Sequence, residues 1–212
     1  MTPETAALRL LVLSLLETAD DGALPPIVQL GHPALRRPAV EFDGQLDDAE
    51  LAAFLTLMRR VMHEAPGVGL AAPQLGVPLR LAVLEDVFPV DEAVAEVRER
   101  APLPYFAAIN PRWRALCEQT ASFYEGCLSF DGYQGVVERY RRVALDWTGD
   151  DGAARSDEFT GWQARIVQHE CDHLDGTVYV DRVVTRSLAS TAEYQGRWAR
   201  PDITEARAGL GF

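Results

Sequence analysis

The chain contains no lysine: all 20 of its basic residues are arginine, set against 32 acidic ones. The net charge of −12 speaks against non-specific binding to nucleic acid or to an anionic membrane as the main activity. The arginine bias itself points to no mechanism. Cysteine is scarce, and Cys117, Cys127 and Cys171 make an odd set without a disulfide framework. That favours a reducing compartment, and a cytoplasmic protein is expected. The apolar run Leu8–Leu16 is interrupted by Arg9 and Ser14 and is too short to span a bilayer. It lacks the flanks of a signal peptide, so no membrane association is expected. There is no internal repeat and no low-complexity tract.

What is present suits a single domain over residues 1–212, with 48% apolar and 25% charged residues. Leu8, Leu11, Val12 and Leu15 fall on one face of a helix over Thr5–Thr18, within an N-terminal extension of residues 1–24. Leu51, Phe54, Leu55, Met58 and Met62 recur at helical spacing behind a cap at Asp47 or Asp48, with the methionines as core filler. A Gly-rich loop follows from Pro66 to Gln74. Strands are expected at Leu79–Leu84 and Tyr105–Ile109, separated by an acidic surface insertion over residues 85–104 that holds a short helix. Val136-Val137 and Val143–Trp147 suggest a hairpin, Gly149–Asp157 a polar turn, and Thr177–Val180 a short strand. The tail, residues 185–212, is expected to be helical over Ser187–Leu210 with a box-like start at Asp202 and Glu205.

The chemistry concentrates in His169-Glu170-Cys171-Asp172-His173, an H-E-x-x-H pattern. On a helix, residues four apart share a face, so both imidazoles reach one metal ion. Glu170 projects about 100° away from His169, where a carboxylate can take a proton from water activated by that metal. Thr160 with Gln163 forms a capping-box pattern, and Gly176 is placed as the helix stop. The plain alternative is a polar helix surface that matches a short motif by chance. A catalytic site needs a third protein ligand. Tyr179 occupies the position where a metzincin would carry its last histidine. Glu193, 20 residues after His173, suits a thermolysin-like endopeptidase on spacing. Cys127, in Glu125-Gly126-Cys127-Leu128-Ser129, would complete a thiolate and two-imidazole set. Cys171 and Cys117 read as small buried hydrophobes, and His32 and His63 as surface or capping residues.

Three stretches in order, Gly67-Val-Gly-Leu-Ala-Ala-Pro-Gln74, Glu125-Gly-Cys-Leu-Ser129 and His169-Glu-Cys-Asp-His173, resemble the signature of the peptide deformylase family. The resemblance runs from about Pro26 to Val184. It implies an α+β fold in which a central metal-binding helix is enclosed by mostly antiparallel sheets, to which the sequence pattern adds N- and C-terminal helical extensions. It implies a hydrolase that removes the formyl group from N-formylmethionine of nascent polypeptides near the ribosome exit, releasing formate. The implied ligands are Cys127, His169 and His173, and Glu170 is the implied general acid/base. Gln74 (side-chain amide) and Leu128 (backbone N–H) would stabilise an oxyanion. The family's metal is often ferrous iron, with zinc, nickel or cobalt also able to occupy the site.

Val68 and Gly69, with Gly126 opposite, would pair with an extended peptide. Val68, Phe123, Leu128 and Trp162 are candidates for the methionine pocket, and Glu125 is expected to be held by Arg139. The chain departs from the family pattern at Phe130-Asp131, Gln134 and Tyr140, all expected to border the substrate entrance. A rival from another class, a weakened relative acting as a binding module, is disfavoured because every implied catalytic residue is present.

Overall fold

The computed structural model describes residues 2–212. The N-terminal helix α1 (Pro3–Asp20) starts where the Thr2 hydroxyl accepts from Thr5 N–H and Pro3 occupies the first turn. It lays Leu8 and Val12 into the core formed with α2 (Asp48–Glu64). Asp47 caps α2 in a full capping box with Glu50. The same Glu50 carboxylate receives Arg9 of α1 at 2.6 Å, joining the two helices. Met58 and Met62 are fully buried on the inner face of α2.

Five antiparallel strands form one sheet in the order β1 (Gly69–Ala71), β2 (Leu81–Asp86), β3 (Leu103–Ala115), β6 (Arg142–Thr148), β7 (Ala154–Thr160). A smaller sheet holds β4 (Thr120–Cys127), β5 (Phe130–Tyr140) and β8 (Ala189–Ser190). Helix α4 (Gly161–Leu174) lies between them. Its Ala164, Val167, Cys171 and Leu174 recur at helical spacing and pack against Ala71, Leu84, Val143 and Leu145 of the large sheet. Its Arg165 and Asp172 meet Glu125 and Arg139 of the small one.

Several sequence expectations are corrected. Val136-Val137 and Val143–Trp147 do not form a hairpin. The chain changes sheets after Tyr140, so β5 pairs with β4 while β6 pairs with β3 and β7. The expected strand at Thr177–Val180 is a helical turn at Tyr179–Asp181, which lets the Asp181 carboxylate accept from Val178 N–H at 2.8 Å. The polar turn ends at Ala153, and residues from Ala154 onward form β7, paired residue by residue with β6.

The tail is not one helix. It runs through β8, the short α5 (Thr191–Glu193), a wide turn at Tyr194–Trp198 and α6 (Thr204–Leu210). Pairing of β8 with Tyr133 and Gln134 interrupts helical order, and Asp202 accepts from Thr204 N–H without a reciprocal bond from Glu205. The insertion does hold a short helix, α3 (Glu92–Arg98). It is not wholly superficial, because Glu85, Asp86 and Arg98 are buried.

The start of α4 is also built differently from the expected capping box. Thr160 makes no side-chain cap, and Gln163 donates to Pro102 C=O instead. Carbonyls from elsewhere in the chain satisfy the first amides, with Gly161 N–H donating to Arg141 C=O and Trp162 N–H to Glu99 C=O. Gly161 has φ +58°, and a Cβ there would sit 2.6 Å from the Glu99 oxygen. Glycine is required for that approach. At the other end, Gly176 (φ +75°) donates to His173 C=O and stops the helix beside the Arg37 backbone.

Candidate metal centre

Each member of the centre comes from a different kind of local structure. Cys127 ends β4, where the strand breaks into the Leu128-Ser129 turn and Ser129 N–H donates to its Sγ at 3.4 Å. His169 and His173 lie one turn apart on α4. Ligand atoms of Cys127, His169 and His173 all fall within 4.8 Å of one another, and Cys127 Sγ is 3.2 Å from His173 Nε2. This is a soft thiolate with two imidazoles, a donor set suited to a tetrahedral divalent ion with one position left open. Glu193 is not part of it: exposed on the tail, it pairs with Arg197 at 2.7 Å. The endopeptidase alternative therefore loses its ligand.

A buried charge network holds the histidines. The Glu125 Oε2 atom lies 3.0 Å from His169 Nδ1, leaving the other ring nitrogen for the cluster. Both Glu125 oxygens also accept from Arg139 at 2.9 Å, and Oε1 accepts from Arg165 at 2.5 Å. Arg139 reaches on to Asp172, which Arg182 also grips. Burial acts to raise the Glu125 pKa, but the Arg139 charge and the His169 hydrogen bond outweigh it and hold the carboxyl well below its usual range. Burial likewise acts to lower His169, yet Cys127 and Glu125 raise it well above an ordinary histidine. His173 is driven well down, first by burial and then by the neighbouring His169 charge. Its Nδ1 is buried without a hydrogen bond.

Glu170 is buried beside the cluster, with Oε2 unpartnered. Burial, its largest influence, pushes its pKa up to about 7. Gly69 of β1 lies so close that a Cβ there would clash with the Glu170 carboxylate. Gln74 is buried in the turn after β1, where its Oε1 accepts from Ala71 N–H at 2.9 Å and its Nε2 points to Cys127 Sγ at 3.8 Å. It thus fastens the loop and faces the cluster at once. Leu128 C=O accepts from Gln29, and its N–H has no protein acceptor among the described residues.

A cavity of about 390 Å³ opens on this group. Val68, Gly69, Gln74, Gly126, Cys127, Leu128, His169 and Glu170 all contribute to its wall, as do Trp162 and the departing residues Phe130, Asp131 and Gln134. Phe123 and Tyr140 line a second, adjoining cavity of about 280 Å³ instead, where Phe123 packs on Trp162 and Tyr140 on Trp113. His32 caps a helical turn through Nδ1 to Ala34 N–H, and half-exposed His63 sits 2.7 Å from Glu85. Sequence reasoning missed Arg98, Arg165, Thr191 and Tyr194, all on the main cavity wall. Arg165 carried a signal in its position one turn before His169 on the same helix; the others carried none.

A polypeptide deformylase family model matches residues 24–188. Peptide deformylase 3 of Streptomyces avermitilis is 51% identical over 196 residues, covering 92% of this chain and 88% of that protein. The actinonin complex of a Synechococcus elongatus peptide deformylase aligns with TM-score 0.65 and 33% identity over 90% of each chain. A Met-Ala-Ser-bound deformylase of Acinetobacter baumannii, class I type b, aligns with TM-score 0.66 and 28% identity over 76% of this chain and 99% of that one. The match spans the cysteine turn, the glutamine loop and the histidine helix together, and this chain belongs to the polypeptide deformylase family.

Proposed function

We propose that the protein removes the formyl group from the N-formylmethionine of nascent polypeptides, releasing formate. The observation that carries the reading is the Cys127, His169 and His173 cluster with buried Glu170 beside it, opening on a cavity large enough for a side chain. A divalent ion held by these three residues supplies a Lewis acid that acidifies water and polarises a carbonyl. Ferrous iron is our proposed occupant, with zinc, nickel or cobalt as alternatives.

The chain's residues divide the remaining work. Glu170 takes a proton from the attacking water and delivers it to the leaving amine, with burial keeping its proton affinity near neutrality. The Gln74 amide and the Leu128 N–H donate to the formyl oxygen as charge builds on it. Val68 and Gly69 on one side and Gly126 on the other pair with the extended peptide backbone. Glu125 orients His169 and compensates its charge.

Residues 1–212 act as one domain in the cytoplasm, the substrate being met as it leaves the ribosome. Residues 1–23 of the N-terminal extension and 189–212 of the tail fall outside the family match. Among the described residues no helix is long and apolar enough to cross a membrane. The test is formate release from a formyl-Met peptide by anaerobically purified, metal-analysed protein. Release that tracks metal content is expected. A metal-loaded protein that releases no formate would overturn the reading.

A further inference from the structure

Four arginines are buried: Arg80, Arg98, Arg139 and Arg165. Three have a carboxylate partner, namely Asp175 for Arg80, Glu125 and Asp172 for Arg139, and Glu125 for Arg165. Arg98, only 9% exposed, forms no salt bridge among the described residues. Its Nε and Nη2 donate to the main-chain carbonyls of Pro201 and Arg200 at 3.0 and 2.7 Å. Its guanidinium carbon lies 5.6 Å from the Phe123 ring centre and 5.3 Å from that of Trp162. These contacts place the group without neutralising it, and a buried cation lacking a counter-charge is costly.

The remaining donors face open space. Arg98 Nη1 has no protein acceptor among the described residues and is not sealed from solvent. The same holds for Arg165 Nε. Arg98 and Arg165 are the two residues shared by the substrate cavity and the second cavity behind it. The other second-cavity arginines, Arg139 and Arg141, line that cavity alone, whereas Arg165 keeps its Nε free beside its Glu125 partner.

We propose that Arg98 and Arg165 form a carboxylate-binding subsite where the two cavities meet, with the C-terminal tail fixing Arg98 in place. A guanidinium edge matches a carboxylate in shape and charge. Two sources have that chemistry: an acidic side chain of the peptide being processed, or a free small carboxylate such as formate. The peptide source rests on the deformylase reading. The subsite itself does not.

The test is calorimetric titration of metal-loaded protein with sodium formate and sodium acetate against sodium chloride at constant ionic strength. Saturable carboxylate binding, weakened at least ~10-fold in Arg98→Met, is expected from the loss of a charged hydrogen bond. Carboxylate held at the metal persists in the variant, so the difference isolates Arg98. Equal affinity in both proteins, or chloride binding as well as carboxylate, overturns the proposal. Arg98→Lys keeps the charge, drops the fork and provides the same comparison if the methionine variant does not fold. Formyl-Met-Glu-Ala favoured over formyl-Met-Gln-Ala in kcat/KM, with the preference lost in Arg98→Met, supports the peptide source. No preference together with Arg98-dependent formate binding supports the free one. Arg98-dependent carboxylate binding by a protein that releases no formate would sink the deformylase reading alone.

Discussion

Glu125 holds His169: one carboxylate oxygen lies 3.0 Å from the imidazole Nδ1, while the pair of them carries Arg139 and Arg165. Orientation of a metal-facing ring and neutralisation of buried Arg165 therefore depend on a single side chain, which shares with Asp172 the role of counter-charge to Arg139. Glu125→Gln should weaken metal binding about 10–100-fold, as loss of an outer partner does. It should also cost about 3–5 kcal/mol in stability by leaving buried charges uncompensated. Chelator competition reads the first effect and denaturant unfolding of the metal-free protein the second. Unchanged metal affinity would show that the imidazole needs no such support.

Ligand identity separates sharply by mutation. Cys127→Ala should lose tightly bound metal and activity, because two imidazoles alone do not make a closed donor set. Glu193→Ala should keep both, since that carboxylate is exposed and engaged with Arg197. Metal analysis after desalting decides. Metal kept by the cysteine variant and lost by the glutamate variant would reverse the assignment.

Glu170→Ala should retain the metal and slow formate release by ~10²–10⁴-fold, the usual contribution of a general acid/base. Gly69→Ala should be nearly as damaging, because the added methyl group enters the space of the Glu170 carboxylate. Steady-state turnover with metal quantified in the same samples is the measurement. Near-normal turnover in the Glu170 variant would rule out its role.

Gln134 lines the cavity mouth and pairs with Ala189 of the tail. Gln134→Arg should change KM for longer formyl peptides more than kcat, since it alters binding shared by ground and transition states. Equal falls in kcat and kcat/KM would instead tie position 134 to the chemical step.

What was legible in the sequence was local. His169 and His173 are related by helical spacing and Met58 and Met62 by an apolar stripe, and the cap of α2 was narrowed to Asp47 or Asp48; each relation is local to about one turn of helix. The pairing of Glu125 with Arg139, named from family likeness, also forms. What stayed hidden depends on contacts between distant segments. Tyr140-Arg141-Arg142 has no glycine or proline to mark a change of sheet, so two strands of different sheets read as one hairpin. Thr160 looks like a cap, but carbonyls of Arg141 and Glu99 already meet the first helix amides. Arg98 left no trace because its partners are main-chain carbonyls over 100 positions away, and carbonyls have no residue type.

The Glu99 carbonyl pressed against Gly161 has a practical meaning for anyone modifying this protein. The residues from Val87 to Val90, irregular and with Val87 and Phe88 exposed, resemble a natural place to splice a reporter or affinity tag. The opposite end of the same insertion does not. Material added between Glu99 and Pro102 would push on the first turn of α4, and the push would travel along a rigid rod to both imidazoles. Two splice points about a dozen residues apart on one excursion should thus differ in whether the product still holds metal.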